Sequence, residues 1–188
     1  DLPESLSYQE SLYDLLVNFR VLATYLTGAA LTVACTKIST PNRDLSHIEN
    51  RVMDSADILS EKEELELFQL IRSLENEVGS QVAVLAVETL KGKPIEEYSI
   101  EVAERMKFGR KKINDGLLIT VALDERMTRI EVGYGLERIV KDEIAARIIR
   151  EDFAPKFREE KYYEGLFQGV NKIKGLIVEN RQIVGQYP

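Results

Sequence analysis

The chain has 188 residues, 44% hydrophobic and 30% charged with no tryptophan, which describes a soluble globular chain with one sizeable core and room for a tail. Its net charge of −7 argues against nucleic acid or an anionic membrane as the main partner and is compatible with cations. The lone cysteine, Cys35, excludes an internal disulfide, no Cys/His cluster exists for zinc, and the one histidine, His47, lies in an apparent linker, which argues against a His-dependent triad or relay.

Residues 1–18 are acidic, with Leu12, Leu15 and Leu16 on a short possible helix. Arg20 then precedes a mostly apolar run over 21–34, too short to cross a bilayer as a helix but of the length of a secretory h-region. Cys35 follows Thr32-Val33-Ala34 in a pattern resembling a bacterial lipobox, so the expectation is export, with Cys35 a candidate lipid anchor. The pattern departs from a lipobox in two ways: Leu31 stands four rather than three residues before the cysteine, and the upstream stretch is acidic. Residues 36–44, with Pro41, read as a linker, which divides the chain into a tail at 1–43 and a folded part at 44–188. The tail holds four acids and three bases, so −6 of the −7 belongs to the folded part.

Within the folded part, residues 51–54 are extended. Ser60 with Glu63 three residues on is a capping-box spacing, and Leu67, Ile71, Leu74 and Val78 recur at helical period before Gly79. Residues 81–87 read as a buried strand. A second helix begins after Pro94, with Ile95, Tyr98, Val102 and Met106 on one face. After Arg110-Lys111-Lys112, Asn114-Asp115-Gly116 opens an apolar run over 117–123, a charged turn over 124–127, and an alternating strand over 128–132. Gly133-Tyr134-Gly135 then permits backbone angles that other residues resist. Asp142 can cap a third helix, Pro155 breaks it, and a last helix carries Leu166, Val170, Ile173 and Ile177. A strand–helix–strand unit predicts a parallel right-handed crossover, and hence an α/β fold: a three-layer α/β/α sandwich with a small mixed sheet.

The segments 51–60, 79–87 and 114–137, with Pro155-Lys156-Phe157 and Tyr162-Tyr163-Glu164-Gly165-Leu166, resemble in order and spacing the TPM domain family. That family includes photosystem II repair proteins and many bacterial envelope proteins. The resemblance spans roughly residues 48–180, with Gly133-Tyr134-Gly135-Leu136-Glu137 its most specific element. It implies a Rossmann-like sandwich, often at a membrane face, with divalent-cation binding and acid phosphatase activity in some members. Many bacterial members carry a C-terminal membrane helix; residues through Pro188 show none, so anchoring is expected from the N-terminal side.

Two acidic groups follow from the inferred sheet. Asp54 and Asp57 should lie toward the carboxyl ends of the parallel strands, where the central strand ends in Asp124-Glu125; converging carboxylates there suit Ca²⁺ or Mg²⁺. The matching family motif has acids at Asp54 and Asp124. The bland alternative is that Asp54 and Asp57 make turn and cap hydrogen bonds, and that Asp124-Glu125 is a solvated tip. At the opposite edge, Asp115 and Glu137 meet around the glycines and offer a second candidate cation site, against which turn and cap chemistry is the stronger reading. Arg126 and Arg129 flank the hairpin turn, where pairing with nearby acids competes with holding a phosphate. The leading expectation is a cation-binding module acting through a protein partner in assembly or repair of membrane complexes. The alternative is a metal-dependent phosphatase in which Asp54 and Asp124 hold the metal and Arg126 or Arg129 meets phosphoryl charge.

Overall fold

The computed structural model describes residues 51–186. The apolar run expected to direct export, Cys35, His47 and the expected linker lie outside the described residues, as does the expected boundary at 43/44.

β1 (Val52–Asp54) leads into α1 (Glu61–Val78), β2 (Gln81–Val87), α2 (Ile95–Met106), β3 (Gly116–Ala122) and β4 (Met127–Val132). A 3-10 turn at Tyr134–Leu136 precedes α3 (Asp142–Ile148), a π turn (Ile149–Phe153), α4 (Ala154–Arg158) and α5 (Tyr162–Glu179). The sheet order is β1-β2-β3-β4, parallel in the first two pairings and antiparallel in the last. Val52, Val84, Ile119 and Ile130 face α1 and α5, while Ala83, Leu85 and Leu118 face α2. The chain is thus the expected three-layer α/β/α sandwich with a mixed four-stranded sheet.

The sequence predicts one strand–helix–strand crossover, β2–α2–β3; the structure has a second, β1–α1–β2, and the two differ in hand. β1, β2 and β3 follow one another in a single direction across the sheet, yet α1 and α2 cover opposite faces. Two crossovers of one hand would put both helices on one face; here they have opposite hands, so one is left-handed. That arrangement is what covers both sides of the sheet. α2 is tied to its face by a buried hydrogen bond from Ser99 Oγ to Thr120 Oγ1 at 3.0 Å.

The α1 capping box forms as its spacing requires, with Ser60 and Glu63 exchanging bonds and Gly79 in the left-handed region ending the helix. Asp142, by contrast, is not the cap of α3: Lys141 holds that position and no side chain caps it. Pro155 also does not end the helical run. Ala154 N–H reaches back to Ile149 O across the π turn, and Pro155 sits in the first turn of α4. The widened turn removes the α-type bond and the ring clash that proline would otherwise disturb.

Gly133-Tyr134-Gly135 needs glycine for closeness rather than for unusual angles. Gly133 has φ −70, and neither glycine is among the positive-φ residues. A Cβ on Gly135 would run into Ile113 O, and one on Gly133 into Asn114 O. Both obstacles are backbone, which cannot swing aside. Gly135→Ala is therefore expected to lower stability by about 1–3 kcal/mol, the range for overpacking, read as a drop in the thermal midpoint; a neutral result would show that residues 113–114 yield.

Candidate functional site

The carboxyl ends of β1, β2 and β3 share one edge, and the sequence-predicted acids Asp54, Asp57 and Asp124 all reach it. Asp54 is the last residue of β1, paired in register with Ala86. The chain then turns through Asp57, whose φ of 54 places it in the left-handed region that Asp tolerates better than most residues. The turn feeds straight into the α1 capping box, so Asp54 looks onto the amino end of that helix. Leu59 N–H donates to Asp54 Oδ2 at 2.8 Å. Asp54 Oδ1 is buried and has no hydrogen-bond partner among the described residues.

Burial raises the Asp54 carboxyl above its ordinary value; the amides of Leu59, Ile58 and Ala56 oppose this, and the Asp57 charge adds to it. Glu64, in the first turn of α1, is raised likewise, first by burial and then by the charges of Asp54, Asp57 and Glu61. Four acids therefore share one field at the start of α1. The helix dipole and orphan amides there make it tolerable without neutralising it. Sequence reasoning named Glu63 as the capping partner and overlooked Glu64, although Glu61 and Glu64 stand one helical turn apart on the same end.

Asp124 and Glu125 do not join that group. Asp124 is exposed, and its N–H donates to Glu88 O at 2.9 Å. Glu125 Oε1 accepts from Leu90 N–H and Thr89 Oγ1, each at 2.9 Å, which fastens the hairpin turn to the β2–α2 loop. These bonds, the Leu90 amide foremost, hold the Glu125 carboxyl below its ordinary value. Its Oε2 is also buried without a partner among the described residues. Among the described residues no group of three or more His, Cys, Asp or Glu side chains is disposed to hold a metal ion.

At the opposite edge, Asp115 is fully buried and its carboxylate is ringed by donors. Arg110 N–H reaches Oδ1 at 2.7 Å; Arg110 Nε, Arg110 Nη2 and Ser80 Oγ reach Oδ2 at 2.9, 2.6 and 3.2 Å. Asp115 is a structural anion that joins the α2–β3 loop to the start of β2. Glu137 does not share its surroundings: it lines an open groove with Asn114, Glu104 and Tyr134, from which Asp115 is absent. The expected Asp115–Glu137 pairing is thus close in backbone only, through Gly135 N–H to Asn114 O at 3.0 Å.

Of the two hairpin arginines, Arg129 pairs with Glu131 at 2.7 Å. Arg126 instead lines a cleft of about 450 Å³ between the β3–β4 hairpin and α4, together with Arg158, Phe157 and Tyr162. Neither Asp54 nor Asp124 lines that cleft. Tyr163, a position the family motif shares, is structural: its hydroxyl donates to Glu66 at 2.5 Å across the α5–α1 contact, and burial first and Glu66 second push its pKa up to about 12.

The fold recurs among solved structures. The N-terminal domain of a protein from P. gingivalis is 29% identical, with a TM-score of 0.66 over 73% of this chain and 87% of that one. BA42 from the psychrophilic bacterium Bizionia argentinensis is 21% identical, with a TM-score of 0.57 over 65% and 83% of the two chains. The N-terminal domain of cg2496 from Corynebacterium glutamicum, at 11% identity and a TM-score of 0.54 over 79% and 86%, shares the fold alone. Comparison with the curated proteins gives no match. The TPM domain family model matches residues 52–176, the whole sheet and both helical layers. The chain belongs to the TPM domain family.

Proposed function

We propose that this domain binds a divalent cation, Mg²⁺ or Ca²⁺, at the amino end of α1, with Asp54 as the ligand and the nearby charges of Asp57 and Glu64 adding to the field that attracts it. The observation that carries this reading is the Asp54 oxygen left buried without a hydrogen-bond partner among the described residues, inside a field of like charges. A buried, unpaired carboxylate oxygen costs about 1–3 kcal/mol, and a cation removes both that cost and the repulsion. Mg²⁺ keeps several waters and needs only one or two carboxylates, so the site does not require a closed cage. Affinity of the order of 10⁻⁴–10⁻³ M suits so open a ligand set.

Binding rather than turnover is the better reading, because the arginine cleft and Asp54 do not line one cavity. The phosphatase alternative needs Arg126 or Arg129 and a metal on Asp54 and Asp124 to act on one phosphoryl group, and Arg129 is paired with Glu131. A cation-responsive domain would work through a protein partner, and the apolar run before Cys35 supports placing that work at the cell envelope.

The sign of the pH dependence follows from Asp54 and Glu64. Carboxyls raised on folding keep protons that the unfolded chain has lost, so stability falls as pH rises from the ordinary carboxylate values, 3.8 and 4.5, through the raised ones. Cation binding should restore what is lost. About 10 mM Mg²⁺ or Ca²⁺ is expected to raise the thermal midpoint at pH 7 by a few degrees and to leave it unchanged at pH 3.5. Asp54→Asn should abolish the response; an equal response in that variant would place the ion elsewhere.

A further inference from the structure

We propose that the free edge of β4 is a docking strip for an extended peptide segment of a partner, with a basic residue at one end and an acidic residue at the other. β4 is the edge strand of the sheet among the described residues. Gly133 N–H donates to Gly116 O at 2.8 Å, and the antiparallel register alternates from there. Glu131, Arg129 and Met127 therefore bond inward to Leu118, Thr120 and Ala122, while the N–H and C=O groups of Thr128, Ile130 and Val132 point outward. No backbone partner meets those outward groups among the described residues. An unpaired edge of this kind is a template for an added strand.

The two clefts flank this edge on opposite faces and at opposite ends. Toward Met127, on the α3–α4 side, Arg126 and Arg158 line the cleft of about 450 Å³ against the single acid Glu160. Toward Val132, on the α2 side, Glu104, Glu131 and Glu137 line a groove of about 390 Å³. Of these groups only Glu131 has an ion-pair partner, Arg129; Arg126, Arg158, Glu104 and Glu137 make no ion pair or side-chain hydrogen bond among the described residues. Large apolar side chains stand exposed beside the strip as well: Tyr134 is 65%, Met127 45% and Ile100 41% exposed.

An added strand sends alternate side chains to opposite faces. The residue opposite Thr128 would point into the arginine cleft, and the residue opposite Glu131 into the acidic groove. Antiparallel addition is the more stable pairing per residue. It sets the order: a lysine or arginine first, its stem on Ile100 and Tyr134, and an aspartate or glutamate three positions later. This strip shares no residue with the cation site at Asp54, so the failure of either leaves the other standing.

The test uses the full chain and a labelled, end-capped peptide of about six Thr and Val residues carrying Lys second and Glu fifth. Fluorescence anisotropy should show saturable binding, weakened roughly tenfold when Lys and Glu are exchanged. Thr128→Pro removes an outward donor without removing a sheet bond, so it should abolish binding while the thermal midpoint changes little. The double variant Glu137→Lys with Arg158→Glu should reverse the preference between the two peptides. Hydrogen exchange at the amides of Thr128, Ile130 and Val132 should be fast in the free chain and slowed by peptide, with Arg129 and Glu131 slow in both. Equal binding of both peptides, or none, overturns the proposal. Slow exchange at the three outward amides before peptide is added also overturns it, since the edge would already be covered by this chain or a second copy.

Discussion

Asp115→Ala is expected to lower the folding free energy by about 2–3 kcal/mol, the upper part of the range for leaving buried donors without their acceptor, since the Arg110 side chain is 42% exposed and can hydrate. The carboxylate is fully buried and takes donors from Arg110 and Ser80, so its removal leaves the Ser80 hydroxyl and the Arg110 N–H without their acceptor. The damage extends to backbone geometry. Arg110 lies against Gly79 at the end of α1, Gly109 N–H donates to Gln81 Oε1 at 2.8 Å, and Gln81 N–H donates to Asp115 O at 3.1 Å. One side chain thus holds the α1–β2 turn and the α2–β3 loop in register at the amino edge. Chemical denaturation checks this, and a loss below about 1 kcal/mol would contradict the structural role. The same variant should keep its cation response at pH 7, because Asp54 lies at the other end of the strands.

Phe153→Ala is expected to cost about 3–5 kcal/mol, or roughly 10 °C in the thermal midpoint of a domain this size. Phe153 closes the π turn, is fully buried, and stacks on Phe157 with ring centroids 5.6 Å apart. Its ring fills the space against Gly169 in α5, where a Cβ would collide with it. Gly169 therefore serves packing between two helices, and truncating the ring leaves a cavity that the glycine cannot fill. Phe153→Leu should recover most of the loss if packing is the cause. Equal losses in both variants would instead point to the π turn itself.

The sheet was legible because its strands carry their own signal. The apolar runs 82–87 and 117–123 can be satisfied only by burial on both faces, and the alternation of Arg129, Ile130, Glu131 and Val132 fixes β4 as the half-exposed member. Ser60 and Glu63 gave the start of α1 through spacing alone. Crossover handedness was not legible, since it depends on which face each helix covers, and both helices have apolar faces that fit either side. Asp142 has the chemistry of a cap, yet the chain enters the helix one residue earlier, where Lys141 stands. Pro155 reads as a stop in any α-helical frame; only the π turn before it lets the helix continue.

The candidate site was legible to the level of the strand edge. Carboxylates after β1 and after β3 must both lie at the carboxyl edge in a parallel sheet, as they do. What the sequence could not show is the direction of each side chain once there. Asp54 turns toward α1, whereas Glu125 is captured by the Leu90 amide and Thr89. Asp115 and Glu137 illustrate the same limit at the other edge, where backbone contact between their segments leaves the carboxylates in separate surroundings. Neither Arg158 nor Glu104 drew notice, because each gains meaning only from the strand edge it flanks.

The most direct test of the cation reading is a titration of the full chain with Mg²⁺ and Ca²⁺ at pH 7, followed by backbone amide shifts. Saturable shifts confined to residues 54–64, with a midpoint of the order of 10⁻⁴–10⁻³ M, are the expected result. Shifts centred on residues 114–137, or no saturable shifts at all, would contradict it.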